Sequence, residues 1–278
     1  MSAAVHGQNR RRPLIESVAR DGNQPRYALP EPLQPPEAER RLRRQRLACA
    51  FRLFGRYGYE VGLAGHFTAR DPILTDHFWV NPLGMAFTAI RASDLLLVNP
   101  AGDVVQGEGM VNLSGVPYHD AIQQARPEVV GIAHAHSFHA KVWSSLARVL
   151  DPITADAAAF HDDQVVFNPR RAPGKSYEED RDSVVAQAVG ALGDRNVLIW
   201  QNHGLWTVGA TVEAAAWRFI MFENAAAGQL MAEAVGGVVN PATPARSPEA
   251  RARAEVGAWL SFLPLWDRIV HEEPDLLD

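Results

Sequence analysis

The sequence predicts a layered α/β domain in which helices flank a mainly antiparallel sheet, and three observations predict it. Short apolar runs such as HFWVNP and DLLLVNPAGDVV are divided by Pro and Gly and read as strands. Between and after them lie segments of helical periodicity with their own start and stop residues, the raw material of packed layers. The composition, 47% hydrophobic and 21% charged over 278 residues, suffices to bury a full core in one domain of about 200 residues with appended segments.

Residues 1–36 read as an arm, because Pro13, Pro25, Pro30, Pro32, Pro35 and Pro36 among scattered charges cannot pack a core alone. Arg10, Arg11 and Arg12 within it read as a short solvated basic run. The main domain is expected over residues 37–239. Pro36 opens a helix whose apolar stripe, including Leu42, Cys49 and Leu53, ends at Gly58. GLAGHFTARDP then gives a Gly-rich turn and a short polar strand, followed by the two Pro-divided runs. Val116 to Arg126 reads as a short helix begun after Ser114 and stopped by Pro127.

VVGIAHAHSFH, from Val129 to His139, reads as a buried strand, and a helix is expected from Ala140 to Leu150. Asp151 to Pro173 reads as loop, strand and loop around an apolar VVF. Ser176 with Glu179 makes a capping box at the head of a helix to Leu192, stopped by Gly193. VLIWQNHGLWTVG reads as a strand pair whose first run ends at His203. Thr211 caps a long helix to Val235, ended by Gly236 and Gly237. Residues 240–278 are expected to form a linker, NPATPARSP, and a last helix near Glu249 to Phe262.

A net charge of −5 and a pI near 6.1 give no electrostatic reason for a nucleic-acid or anionic-membrane partner. The single Cys49 excludes an internal disulfide and a cysteine cluster, so histidines must carry any metal. MSAAVHGQNRRRP lacks an apolar signal core, and no window approaches the roughly 18 apolar residues that span a bilayer. The expectation is a cytoplasmic protein.

The period of two in a strand sends His134 and His136 to one face, where two imidazoles can share an ion. The same pattern equally fits core histidines bonded to backbone carbonyls. His203 supplies a third imidazole if its strand neighbours the first, leaving positions open for water or substrate. His139, three residues past His136, points to the opposite face of an extended strand and competes poorly for that place. His119 reads either as a partner orienting a ligand or as a core histidine. His66 reads either as a turn residue reaching into a pocket or as a surface one. Phe78, Trp79, Phe87, Phe138 and Trp143 would suit an aryl substrate, but aromatics flanking strands are more often core.

The succession GLAGHFTARD, WVNPLGMAF, IRASDLLLV, YHDAIQQARPEVVGIAHAHS and VLIWQNHGLWTVG, then a long Ala-rich helix, resembles the class II aldolase and adducin head-domain family. The likeness runs from Glu37 to Val235, and its pairing of R-P-[DE]-x(5)-H-x-H with a later N-H-G is specific. It implies a class II aldolase-like α/β/α fold, usually tetrameric, with a divalent metal on His134, His136 and His203. In the family's sugar-phosphate aldolases a Glu lies four residues before the helix histidine and serves as base or ligand. Here that position is Gly115, in NLSGVPYH, and glycine can do neither. Their phosphate-cradling T-S-G-N turn corresponds to GLAGH, with His66 in place of the Asn.

Adducin-like assembly modules lose the metal ligands, whereas this chain keeps all three histidines, which favours an enzyme. A metal without its base is similar to one branch of the family, the non-haem iron oxygenases of aminocoumarin antibiotic biosynthesis. That branch shortens a prenylated 4-hydroxyphenylpyruvate to the mandelate and then the benzoate. The resemblance thus implies Fe(II), with Zn(II) or Mn(II) as alternatives, and dioxygen beside a small-molecule aryl 2-oxo acid. Three histidines by themselves are as characteristic of zinc. His66, Ser114, Gly115 and His139 are the candidate substrate contacts. The rival implication is an ordinary metal aldolase, lyase or epimerase using another base such as Glu108.

Overall fold

The computed structural model describes residues 29–236 and 248–278, so the arm up to residue 28 and all of the NPATPARSP linker before Pro248 lie outside the described residues. Eight strands make one sheet: β1 (His66–Arg70), β2 (Phe78–Val80), β3 (Leu96–Val98), β4 (Val104–Gln106), β5 (Gly131–Ala135), β6 (Gln164–Phe167), β7 (Val197–Trp200) and β8 (Gly204–Gly209). Their spatial order is β4-β3-β2-β1-β5-β8-β7-β6. Every neighbouring pair is antiparallel except β6 and β7.

The helices are α1 (Pro36–Arg56), α2 (Val116–Ala125), α3 (Phe138–Ser145), α4 (Ala155–Ala158), α5 (Tyr177–Leu192), α6 (Val212–Ala234) and α7 (Pro248–Glu272). Strand alternation sorts them into two outer layers. Phe67, Ala133 and Leu205 face a core shared with α1, α3, α6 and α7, where Leu47, Phe54, Phe219, Phe262 and Ile269 are fully or almost fully buried. Ile132, Leu198, Trp206 and Val208 face the other way, onto Tyr118 and Ile122 of α2 and Val184 and Leu192 of α5. Each such buried side chain contributes about 1.5–3 kcal/mol, so both layers are anchored to the sheet from opposite sides.

The caps read from the sequence set the helix starts. Ser176 accepts from the Glu179 N–H while Glu179 accepts from the Ser176 N–H, and Gly193 ends α5 at φ 53°. Thr211 accepts from the Ala214 N–H at the head of α6. Elsewhere the structure corrects the reading. Ser114 does not cap α2: its hydroxyl donates to Asn112 Oδ1 at 2.6 Å, and Gly115 stands at the cap without a side-chain bond. The helix expected from Ala140 to Leu150 begins earlier and ends sooner, at Ser145, with Ala147 in the left-handed region. A short helix, α4, lies where loop was expected, because Thr154 accepts from the Ala157 N–H.

α7 runs ten residues past Phe262, through Pro264. Its buried stripe of Trp259, Phe262, Trp266 and Ile269 continues beyond the proline, and the Arg46 guanidinium lies 3.7 Å from the Trp266 ring centre. At the β1–β2 turn, Asp71 accepts from Arg40, from the N–H groups of Ile73 and Leu74, and from the Trp79 indole. Burial alone would raise the Asp71 carboxyl, but these bonds outweigh it and hold the group below its ordinary value.

Candidate metal centre

The centre stands at one end of the sheet, where β5 stops at Ala135. In the ladder, His134 lies directly opposite His66 of β1 and Trp206 of β8. Opposed residues share a face, so the three rings form a row, with centroids 4.9 Å apart between His66 and His134 and 4.5 Å between His134 and Trp206. His136 follows one residue beyond the strand. His203 does not end a strand, as the sequence suggested; β7 stops at Trp200 and His203 sits in the turn before β8. Asn202 takes φ 59° there, a conformation asparagine tolerates better than most residues. A Cβ at Gly204 would lie 3.1 Å from the Ala135 carbonyl, so glycine lets the turn press against the end of β5.

The result is convergence: the His203 Nε2 is 3.3 Å from the Nε2 of both His134 and His136. His134 Nδ1 donates to the Leu205 carbonyl at 2.8 Å, so its Nε2 presents a lone pair to the other two. Two imidazole nitrogens sharing one ion at near-tetrahedral angle stand about 3.3 Å apart, so this donor set fits a divalent metal. Among the described residues no carboxylate joins the cluster. Burial, then the neighbouring imidazoles, pushes His134 well below the ordinary histidine range. Burial lowers His136 as well, and burial with His136 brings His203 down to about 4. All three are therefore neutral at neutral pH, the form that ligates.

His139 is turned away from this cluster. Glu223 of α6 accepts from the His139 N–H at 2.9 Å, His139 Nδ1 at 2.9 Å, the Ala140 N–H at 2.7 Å and the Ser137 hydroxyl at 2.6 Å. The buried carboxylate thus closes the N-terminus of α3 immediately after His136, on donors the helix cannot satisfy itself. His139 lines no part of the cavity beside the metal ligands. Nothing in the sequence pattern marks Glu223, since its partners lie more than 80 residues earlier.

That cavity has a volume of about 410 Å³ and includes His134 and His203 in its wall. Tyr118, Val184, Trp200 and Trp206 make its apolar surface, and His66, Ser114 and Arg171 are its other polar side chains. A larger surface groove between α2 and α5, about 1010 Å³, reaches none of the histidines. The aromatics singled out in the sequence are not the ones at the site: Phe78, Trp79, Phe87 and Trp143 are core, and Phe138 is exposed. Trp200 and Trp206 do carry a signal, standing three residues to either side of His203. Glu108 is exposed and off the cavity wall.

His66 and His119 belong to a second, fully buried chain of contacts. His66 Nδ1 is 2.6 Å from His119 Nε2, and His119 Nδ1 is 2.7 Å from the Thr68 hydroxyl. Gly115 lies against the other side of the His66 ring, where an added Cβ would meet Nε2 at 2.5 Å. Of the sequence candidates, His66 and Ser114 thus reach the cavity, Gly115 supports His66, and His119 touches no metal ligand through a hydrogen bond.

Fold and site together define an α/β/α protein whose sheet carries three converging histidines with the geometry to hold a metal ion. Residues 45–230 match the Class II Aldolase and Adducin N-terminal domain, and the chain belongs to that family. The chain is 35% identical over 234 residues to the 4-hydroxy-3-prenylphenylpyruvate oxygenase/4-hydroxy-3-prenylbenzoate synthase of Streptomyces roseochromogenus subsp. oscitans, covering 83% of each. It is 37% identical to the Meiotically up-regulated gene 14 protein of Schizosaccharomyces pombe, over 66% of this chain and 70% of that one. The solved L-fuculose 1-phosphate aldolase of Glaciozyma antarctica PI12 superposes with a TM-score of 0.77 at 36% identity, over 90% of this chain and 96% of that one. Among the described residues no helix is long and apolar enough to cross a membrane.

Proposed function

We propose that this chain is a mononuclear Fe(II) enzyme that oxidatively shortens an aryl 2-oxo acid. One observation carries the reading: the cavity beside the three histidines is walled by Tyr118, Trp200 and Trp206 and has no Asp or Glu among its lining residues. Such a wall suits an aromatic ring and offers no carboxylate base to an aldol reaction. The 35% identity to a prenylphenylpyruvate oxygenase over most of both chains supports the same substrate class and an oxygen-dependent reaction.

His134, His136 and His203 hold the ion, and Fe(II) there supplies the one-electron chemistry with dioxygen that zinc lacks. The chain's own groups do the rest. The two tryptophans and Tyr118 take the ring, and their apolar faces line the space beside His134 and His203. The reaction balances in two turns. The arylpyruvate and one dioxygen give the mandelate and carbon dioxide; the mandelate and a second dioxygen give the benzoate, carbon dioxide and water. A homotetramer is the assembly we assign, to be checked by light scattering.

A second reading, a metal-dependent lyase, is favoured by the superposition on the fuculose phosphate aldolase. It needs a base, and Glu108 would have to travel to the cavity to serve. The test is turnover of 4-hydroxyphenylpyruvate and its 3-prenyl derivative by Fe(II)-loaded protein in air and under argon, beside L-fuculose 1-phosphate. Oxygen-dependent release of carbon dioxide by the iron form, with an inert zinc form, is expected. Anaerobic cleavage of the sugar phosphate would establish the lyase instead.

A further inference from the structure

We infer that His66 is a substrate-binding residue, fixed by Thr68 and His119 as the tautomer whose Nε2–H donates to an anionic or carbonyl oxygen in the cavity. The protons along the buried Thr68–His119–His66 chain can be placed in one order. The Thr68 side chain is fully buried, and among the described residues its hydroxyl has one hydrogen-bond partner, His119 Nδ1, 2.7 Å away. A buried hydroxyl must place its proton on an acceptor, and among the described residues it makes no other hydrogen bond. Thr68 therefore donates to His119 Nδ1, which leaves the His119 proton on Nε2. That proton is donated across 2.6 Å to His66 Nδ1, and the His66 proton is left on Nε2.

The reverse assignment would begin with His119 Nδ1–H donating to Thr68 and would strand the threonine proton. Strand geometry holds the chain in place, since His66 and Thr68 stand two residues apart on one face of β1. His66 Nε2 makes no hydrogen bond to the described residues, yet the ring lines the cavity with His134 and His203. Gly115 supplies the seat: the ring occupies the volume into which any larger residue would extend. A neutral donor set beside the ligand row selects an acceptor, and the carboxylate or keto oxygen of a 2-oxo acid is one. The substrate class rests on the proposed function; the tautomer does not. Thr68 and His119 are positioning residues, acting through His66.

Two measurements on zinc-loaded protein, whose ion has no redox chemistry with dioxygen, separate the tautomer from the substrate class. Nitrogen NMR of histidine-labelled protein should report both His66 and His119 protonated at Nε2, and Thr68→Val should release His119 from that single form. Titration with 4-hydroxyphenylpyruvate should show His66→Phe binding about ten- to a hundredfold more weakly than the parent at unchanged zinc content. His66→Gln, whose amide carries an N–H near the Nε2 position, should recover most of the loss. A His66 proton on Nδ1, or undiminished binding by His66→Phe, overturns the inference. Failure of the parent to bind the oxo acid while the Nε2–H form is observed sinks the substrate class alone and leaves the donor standing.

Discussion

His134 donates from Nδ1 to the carbonyl of Leu205, across the β5–β8 pair at 2.8 Å, and this bond decides which of its nitrogens faces His136 and His203. A metal ligand is usually oriented this way, by what its other nitrogen holds. Replacing His134, His136 or His203 by Ala should abolish stoichiometric metal binding, whereas His139→Ala should retain it, because His139 is engaged with Glu223. Metal content per chain by mass spectrometry decides it. Full occupancy in His203→Ala would dismantle the site as described.

The Glu223 carboxylate makes four hydrogen bonds to the start of α3, from Ser137 to Ala140 and close behind His136. In Glu223→Gln one oxygen becomes an NH2 group that cannot accept, and at least one buried N–H or O–H loses its partner. A loss of about 1–3 kcal/mol in unfolding free energy is expected. Metal affinity should fall with it, since the turn that carries His136 is loosened. Chemical denaturation together with a competitive chelator titration measures both, and an unchanged denaturation midpoint would refute the role.

Much of this was legible in the sequence, and the division has a physical basis. Local signals succeeded: the Ser176–Glu179 box and the Thr211 cap act within a few residues and start α5 and α6, and the two histidine motifs name the three side chains that the fold brings together. Signals that failed were non-local or ambiguous. The order β1-β5-β8, which brings His66 and Trp206 to either side of His134, is set by packing of two layers and leaves no trace in any single window. Ser114 looks like a cap, but its hydroxyl has a nearer acceptor in Asn112. The last helix, expected near Glu249 to Phe262, runs on through Pro264 because its apolar stripe continues beyond the proline.

The lowered histidines give the metal-free protein a pH dependence of definite sign. Burial favours the neutral form of His203, bringing it from near 6.5 in the unfolded chain down to about 4, and lowers His134 and His136 too. As pH falls, the unfolded chain takes up protons first, so stability is complete above about 6.5 and is lost as pH drops toward 4. Urea unfolding of metal-stripped protein at several pH values should show this fall. His203→Ala should show a shallower one, and equal slopes for parent and variant would remove His203 as a contributor.

Gly115 offers the sharpest test of how the site is built, because its backbone does not require glycine. Its φ of −88° and ψ of −34° are helical, a conformation in which alanine normally costs nothing and even stabilises by about 0.4–1 kcal/mol through the unfolded state. What forbids a side chain is the His66 ring, whose Nε2, Cε1 and Cδ2 would lie 2.5–2.8 Å from the new Cβ. The ring cannot simply withdraw, since its far nitrogen is held by His119 and His119 by Thr68. Gly115→Ala is therefore expected to lower stability by about 1–3 kcal/mol, the usual cost of overpacking a filled interior. In a His66→Gly background the same substitution enters empty space, and its effect should vanish or reverse sign. The four proteins form a double-mutant cycle, and a coupling near zero between residues 66 and 115 would mean that the glycine is not the seat of the imidazole.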